Sequence, residues 1–419
     1  MLDIEYLRQN TTGAEKKVSD RGKDPKIVQE VLSLDTEYRS LLRLVEDLRS
    51  SKNKAAKEQD IETGQKIKAD LDSAEERLRV AQNLFQEKLS LIPNTALPEV
   101  PTGKPDNFKI LEDSGTPPKL PFTPKDHLEL GENLGIIDAA AGSKVSGSRF
   151  VYLKGKGALL EIALLNFALE KLTKENRELT LGPALIKQEI TNKLGYWSDG
   201  GNENYYLVHN PANDAGEEVG NLYLIGTGEH SLVPLHMDGT FLQEDLPKRY
   251  ATFSPSFRRE AGTYGKDTRG LIRVHQFEKL EMVTFTQPDN SEQEFDSMLA
   301  FSWNLMRELE LPVRKVILTT EDISFPAAKT VDIETWFPSQ EKYRETHSIS
   351  TTTDFQARRL NIRFSKEGRY SFVHILNGTV FAMGRTIAAI MENNQREDGS
   401  IAIPRALQKY TEFKDIRAN

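Results

Sequence analysis

Cysteine is missing from all 419 residues. That excludes disulfides, thiolate nucleophiles and any zinc site with sulfur ligands. Histidine is scarce: the seven present are scattered, and no His-Glu-x-x-His spacing puts two of them on one helical face. No apolar run approaches the ~18 residues a spanning helix needs, and the opening Met1-Leu2-Asp3-Ile4-Glu5 lacks the basic flank of a secretory leader. The expectation is a soluble, cytoplasmic chain with no membrane partner. The usual nucleotide loops, G-x-x-x-x-G-K-[ST] and a strand-linked G-x-G-x-x-G, are absent, as is the G-x-S-x-G nucleophile elbow. If a nucleotide binds, side chains displayed on a sheet must hold it. The formal net charge of −8 argues against a surface coated for nucleic acid. It leaves room for a local basic patch, because phosphate attraction is screened beyond ~8–10 Å at physiological salt.

What is present falls into two textures. Residues 1–24 read as a short helix, Asp3 to Gln9, and a polar connection. A long helix begins near Pro25, and Ile27, Val31, Leu34, Tyr38, Leu41, Val45 and Leu48 form a heptad seam. Asp60 to Gly64 interrupts it, and a second seam follows: Ile67, Leu71, Ala74, Leu78, Ala81, Phe85. Each helix can bury its stripe only against the other, so the pair folds back as an antiparallel coiled-coil arm over about residues 26–92. At ~1.5 Å per residue it reaches ~45–50 Å. A dimerisation spacer would look the same. The stretch from Arg39 to Lys57, with Arg39, Arg43, Arg49, Lys52, Lys54 and Lys57 against only Glu46 and Asp47, makes a phosphate track the alternative.

Pro93, Pro98, Pro101 and Pro105 mark a linker, dividing an N-terminal domain (1–105) from a second domain (106–419). The second domain mixes helices (159–172, 291–309, 385–394) with alternating strands at 220–227, 249–259, 272–286, 313–319 and 371–381. This is an α+β pattern: an antiparallel sheet flanked by helices. Its most suggestive segment is Phe257-Arg258-Arg259-Glu260, a loop containing Gly262, Gly265 and Gly270, then Arg273-Val274-His275-Gln276-Phe277-Glu278-Lys279-Leu280-Glu281. Residues two or four apart on a strand share a face. Arg258 with Glu260, and Phe277 with Glu281, would line one pocket with a guanidinium, two carboxylates and an aromatic plate. A surface hairpin with ordinary charge pairs is the plainer alternative.

That pattern, F-R-x-E, loop, R-x-x-x-F-x-x-x-E, resembles motif 2 of the class II aminoacyl-tRNA synthetases. Gly384-Arg385-Thr386-Ile387-Ala388-Ala389-Ile390-Met391-Glu392 resembles their motif 3, and Leu181-Gly182-Pro183 their motif 1, which lies at the dimer interface in that class. Ser146-Gly147-Ser148-Arg149-Phe150, Phe257 through Gln276, Thr353 through Arg359 and Leu376-Asn377-Gly378-Thr379 are similar to seryl-tRNA synthetases of the bacterial type, whose tRNA-binding appendage is such an arm.

The resemblance implies activation of L-serine with ATP and Mg²⁺, followed by transfer to tRNA(Ser), and in the family also to tRNA(Sec). Arg258 would grip the α-phosphate and serine carboxylate. Arg259, Glu260, Val274 and Phe277 would surround ATP, and Arg385 would close the other face of the adenine. Glu345, Thr346, His347 and Ser348 match an ATP-contacting stretch, with Glu345 and Ser348 as Mg²⁺ ligands. Thr227, Gly228 and Glu229 would receive the serine amino group, with Glu281 and Thr379 completing the subsite. The loop from Ala261 to Leu271 would meet the tRNA acceptor end, and the protein would be a homodimer. Departures from the family pattern stand at Gly228, where alanine is usual, at His347, where a small hydroxyl residue is usual, and at Val380-Phe381-Ala382-Met383. An amino acid–carrier-protein ligase would lack the arm. A catalytically silent paralogue need not keep Arg258, Glu260, Glu345 and Arg385 together.

Overall fold

The computed structural model describes residues 1–196, 201–209, 220–261 and 269–418. Gly262 and Gly265 of the expected loop lie outside the described residues. The chain divides into two compact units, Met1–Ala96 and Leu97–Asn419.

The first unit is helical. Helix α1 (Ile4–Gln9) is capped by the Asp3 carboxylate, which accepts from Glu5 N–H at 2.9 Å. The segment read as a polar connection is largely a second helix, α2 (Thr11–Asp20). Its few apolar residues, Ala14 and Val18, were too sparse to show a period, yet both are buried against Leu7, Val28, Val31, Leu89 and Ile92. The long helices are α3 (Lys26–Lys57) and α4 (Ile61–Ser90). Along the expected seam, Val31, Leu41, Val45, Leu71, Ala74 and Ala81 are buried, and Tyr38 stacks on Phe85 with centroids 5.8 Å apart. The chain reverses at 58–60, where Gln59 has a positive φ and Asp60 caps α4 through Thr63 N–H at 3.1 Å. Gly64 therefore lies inside α4 and does not break it. Buried Asp35 interrupts the apolar face of α3, its charge matched by a two-point bond from Arg8 (2.6 and 2.9 Å) and by Arg39 (3.1 Å).

The second unit is built on an eight-stranded sheet: β1 (Lys109–Asp113), β2 (Glu178–Leu179), β3 (Lys248–Phe257), β4 (Gln276–Thr286), β5 (Val313–Ile317), β6 (Lys329–Phe337), β7 (Lys342–Thr351) and β8 (His374–Ala382). Their spatial order is β1-β5-β6-β7-β8-β4-β3-β2, antiparallel throughout except for the short β2 beside β3. Helices α5 (Lys156–Lys174), α6 (Ser291–Glu308) and α7 (Met383–Asn393) flank it. Residues 97–103, read from their prolines as linker, are bonded into this unit. Leu97 N–H donates to Ala328 O (2.9 Å), and Gly103 N–H to Thr320 Oγ1 (3.1 Å).

Two strands at the middle of the sheet, β6 and β7, were not expected. KYRETHSIST carries few apolar residues, whereas KTVDIETWF alternates at Val331-Asp332-Ile333-Glu334, a signal that was available. The expected strand from 272 begins only at Gln276, and the strand expected to reach 259 ends at Phe257. Arg258, Arg259 and Glu260 therefore follow the strand rather than continue it.

Candidate active site

One cavity of about 480 Å³ opens on the sheet. Its geometry comes from strand register. On β3, β4 and β8, Thr252 pairs with Glu281 and Glu281 with Thr379, so three adjacent strands present one row. The turn Thr227-Gly228-Glu229, opening the one-turn helix Glu229–Leu232, sits against that row. The Thr227 hydroxyl donates to Glu281 Oε2, Glu229 N–H reaches the same oxygen at 3.2 Å, and Lys279 Nζ donates to Oε1 at 2.7 Å. All of these side chains are buried.

Burial sets the electrostatics here. It pushes Glu229 up to about 7, with the neighbouring Glu281 charge adding to the effect. The Tyr196 hydroxyl (2.7 and 2.8 Å from the two oxygens) and Gln356 Nε2 (3.0 Å) orient that carboxyl. Burial also pulls Lys279 below its ordinary value, opposed by Glu281. His230, enclosed by Tyr196 and Tyr205, is pushed down to about 3 by burial and by the Arg258 charge, so it is neutral.

A second cluster carries the cations. Arg258 donates from Nε to Gly226 O (3.1 Å), and its guanidinium carbon lies 5.4 Å from the Phe277 ring centroid. Glu260 takes a positive φ and turns to Arg273, whose Nη1 lies 2.7 Å from its carboxylate. Arg258 and Glu260 both line the cavity because the chain turns there, not because they alternate along a strand. Arg385 leaves the first turn of α7 and donates from Nε to Ile272 O (3.1 Å). Its Nη1 donates to Glu345 O (3.0 Å) and pairs with the Glu345 carboxylate (3.1 Å). Burial works to raise Glu345, but the guanidiniums of Arg385 and Arg258 outweigh it and hold the carboxylate below its usual range. Residue 384 packs closely on the segment before β4: a Cβ there would sit 3.1 Å from Leu271 O, a tight contact that the Leu271 carbonyl would have to yield to.

Twelve expected positions line this cavity: Thr227, Glu229, Arg258, Glu260, Val274, Phe277, Glu281, Glu345, Thr346, Ser348, Thr379 and Arg385. Three do not. Arg259 bonds by its backbone N–H to Asn204 O at 2.8 Å. Gly228 faces β3, where a Cβ would meet Thr252 Cγ2 at 2.4 Å and Ser254 Oγ at 3.0 Å. His347 turns away from the cavity. Its Nε2 lies 2.9 Å from Val380 O, its Nδ1 lies 2.9 Å from Thr346 Oγ1, and its ring packs on Phe381. Burial pushes it down to about 4, so it spans the strands as a neutral imidazole. Lys279 was missed although its signal was available: it lies midway between Phe277 and Glu281 and shares their face. Tyr196 and Gln356 gave no local signal, reaching Glu229 from distant segments.

The antiparallel sheet displays an arginine after one strand, a second arginine on the helix following another, and an acidic floor between them, the arrangement that the resemblance to class II aminoacyl-tRNA synthetases implied. Residues 206–394 match the tRNA synthetase class II core domain (G, H, P, S and T), and residues 1–96 match the seryl-tRNA synthetase N-terminal domain. The serine–tRNA ligases of Thermobifida fusca and Rubrobacter xylanophilus are 39% and 40% identical, each alignment covering 98% of this chain and 97% of the relative. The seryl-tRNA synthetase of Pyrococcus horikoshii, solved with ATP, superposes with a TM-score of 0.92 at 35% identity over 100% of both chains. The cytoplasmic serine–tRNA ligase of Naegleria fowleri, solved with AMP, gives 0.89 at 30% identity, over 100% of this chain and 99% of that one. The chain belongs to the seryl-tRNA synthetase family. It is an ATP-dependent ligase that activates serine and charges tRNA with it.

Gly228 and Thr252 are matched in volume, which yields a test. Gly228→Ala should lower the rate of serine-dependent ATP–pyrophosphate exchange about tenfold by displacing the Thr227–Glu229 turn. Adding Thr252→Ser, which removes the obstructing methyl, should restore most of it.

Proposed function

We propose that the acidic cluster of this cavity takes serine and that the arginine-flanked part takes ATP. The observation that carries the assignment is the convergence of Thr227, Glu229, Glu281 and Thr379 with Arg258, Phe277, Glu345 and Arg385 in one cavity. ATP bound to the Pyrococcus horikoshii relative and AMP bound to the Naegleria fowleri relative support the nucleotide half.

In the first step a serine carboxylate oxygen attacks the α-phosphorus, forming the acyl–phosphate bond as the bond to pyrophosphate breaks. The nucleophile is ionised at neutral pH and needs no general base, so the protein contributes position and charge. Arg258 holds the α-phosphate and the serine carboxylate together. Phe277 and Val274 bound the adenine, Glu260 reads its amino group from the orientation fixed by Arg273, and Arg385 covers the opposite face and reaches the γ-phosphate. Thr227 and Glu229 receive the serine ammonium. Glu281 and Thr379 receive its hydroxyl, and alanine would leave Glu281 with one acceptor unpaired.

Glu345 and Ser348 offer the oxygen donors that Mg²⁺ prefers. Asp332 pairs with Ser348 across the strands and keeps its Oδ1 buried without a hydrogen-bond partner, so the donor set suits a hard cation. When bound, Mg²⁺ would neutralise charge on the phosphate oxygens. In the second step a hydroxyl of the tRNA 3′-terminal ribose attacks the activated carbonyl, releasing AMP.

The N-terminal unit serves as the tRNA-binding domain, its arm gripping tRNA(Ser) by shape and backbone, and the segment after Glu260 meets the acceptor end. We assign the protein to the cytoplasm; no helix among the described residues is long and apolar enough to cross a membrane. A homodimer is supported by exposed apolar side chains on the second unit, among them Tyr152, Leu159, Ile162 and Leu181.

Four outcomes are expected. Exchange measured with each of the twenty amino acids should be strong with serine alone, and Glu281→Ala should abolish it, since such sites discriminate by roughly 10⁴-fold or more; near-normal exchange in that variant would sink the subsite assignment. Deleting residues 27–92 should abolish aminoacylation and spare exchange, and equal loss of both would make the arm structural. The pH dependence follows from Glu229, which must be ionised to hold the ammonium. As pH falls through about 7 it becomes protonated, so kcat/KM for serine should fall by up to about tenfold per unit below that point. The rate at saturating serine should fall less. A flat kcat/KM from pH 8 to 6 would remove Glu229 from the ammonium site.

A further inference from the structure

The segment after the hairpin loop is gripped in part by side chains to which the reaction assigns no role. His127, the first residue of the short helix His127–Asn133, is buried, and both of its ring nitrogens are bonded. Leu271 N–H donates to Nε2 at 3.0 Å, and Nδ1 lies 2.8 Å from Glu392 Oε1. A backbone N–H can only donate, so Nε2 is the acceptor and Nδ1–H donates to Glu392.

Glu392, fully buried in the last turn of α7, is fixed in turn. Oε1 also accepts from His127 N–H (3.2 Å), and Oε2 accepts from the Ser339 N–H (3.2 Å) and hydroxyl (2.6 Å). Gly270 has a φ of 79°, and a Cβ there would lie 2.1 Å from His127 Nε2, so only glycine lets the chain pass this close to the imidazole. Two residues on, Ile272 O accepts from Arg385 Nε at 3.1 Å. Helix α7 thus holds Leu271–Ile272 twice: directly from its first turn through Arg385, and from its last turn through Glu392 and His127.

We propose that His127 is a positioning residue for the nucleotide. By receiving Leu271 N–H it sets where the Ile272 carbonyl stands, and that carbonyl aims Arg385. The same two residues lead into Val274, so one imidazole places both the aliphatic and the cationic boundary of the adenine subsite. The proposal rests on the reading of Arg385 and Val274 as nucleotide contacts.

The two side-chain amides separate the two bonds, because asparagine can stand in for Nδ1 and glutamine for Nε2. In serine-dependent ATP–pyrophosphate exchange, His127→Asn should raise the KM for ATP about tenfold, the scale expected when a buried N–H loses its acceptor, while the KM for serine changes less than about twofold. His127→Gln, which still receives Leu271 N–H, should recover most of the ATP affinity. Gly270→Ala, which pushes the imidazole aside, should reproduce His127→Asn and decides the matter should that variant not fold. An unchanged ATP KM in a folded His127→Asn protein, or an equal rise in both KM values with no recovery by glutamine, overturns the proposal. Arg385→Ala is measured alongside. If it too leaves the ATP KM unchanged, the nucleotide reading has failed; if it raises that KM while His127→Asn does not, only the role of His127 has failed.

Discussion

Glu281 holds a carboxylate almost without water contact, against one ammonium, one hydroxyl and one backbone N–H. Taking such a charge out of water costs several kcal/mol, and its partners return that only if each is held in place. Lys279, two residues along the same strand, supplies the countercharge at 2.7 Å and is itself buried. The Thr227–Glu229 turn supplies the other two donors, and it can sit low enough only because residue 228 has no side chain. Strand register, turn and ion pair therefore stand or fall together. The same low dielectric pushes Glu229 up to about 7 and keeps His230 neutral, so the subsite carries a small, defined set of charges rather than a generally acidic one.

The departures from the family pattern become intelligible once their neighbours are known. Gly228 looks like a lost methyl in sequence; in the fold its space is taken by the Thr252 methyl. His347 looks like a bulky intruder beside the stretch assigned to ATP. Its ring instead turns away from the cavity, bonds to Val380 O and packs on Phe381, two positions of the other departing run. Each departure is a local exchange of volume or hydrogen bonding with a partner strand, and neither removes a group from the cavity.

Legibility varied with how local the governing physics was. The seams of α3 and α4 were readable because an isolated helix pair has one place to put apolar side chains. Helix α2 was not, since Ala14 and Val18 alone make no period, and burial against Leu7 and Val28 decides it. The central strand β7 escaped notice because KYRETHSIST has too few apolar side chains to show a period, whereas β6 was missed although Val331-Asp332-Ile333-Glu334 alternates. Arg258 and Glu260 were placed in the site for an imperfect reason: alternation was assumed, whereas a positive φ at Glu260 and its bond to Arg273 bring it there.

By itself the sequence determined the antiparallel arm and the α+β character of the second unit, because these follow from periodicity, while most of the chemistry-bearing residues were named by the resemblance of short motifs to a known family. Tertiary structure alone decided that His347 lies outside the cavity, that Tyr196 and Gln356 orient Glu229, and that His127 reaches Leu271 from 144 residues away. The physical reason is common to all three: a side chain's direction is settled by whichever buried donor or acceptor it must satisfy. That partner is brought near by strand register and helix packing, which short-range sequence patterns do not encode.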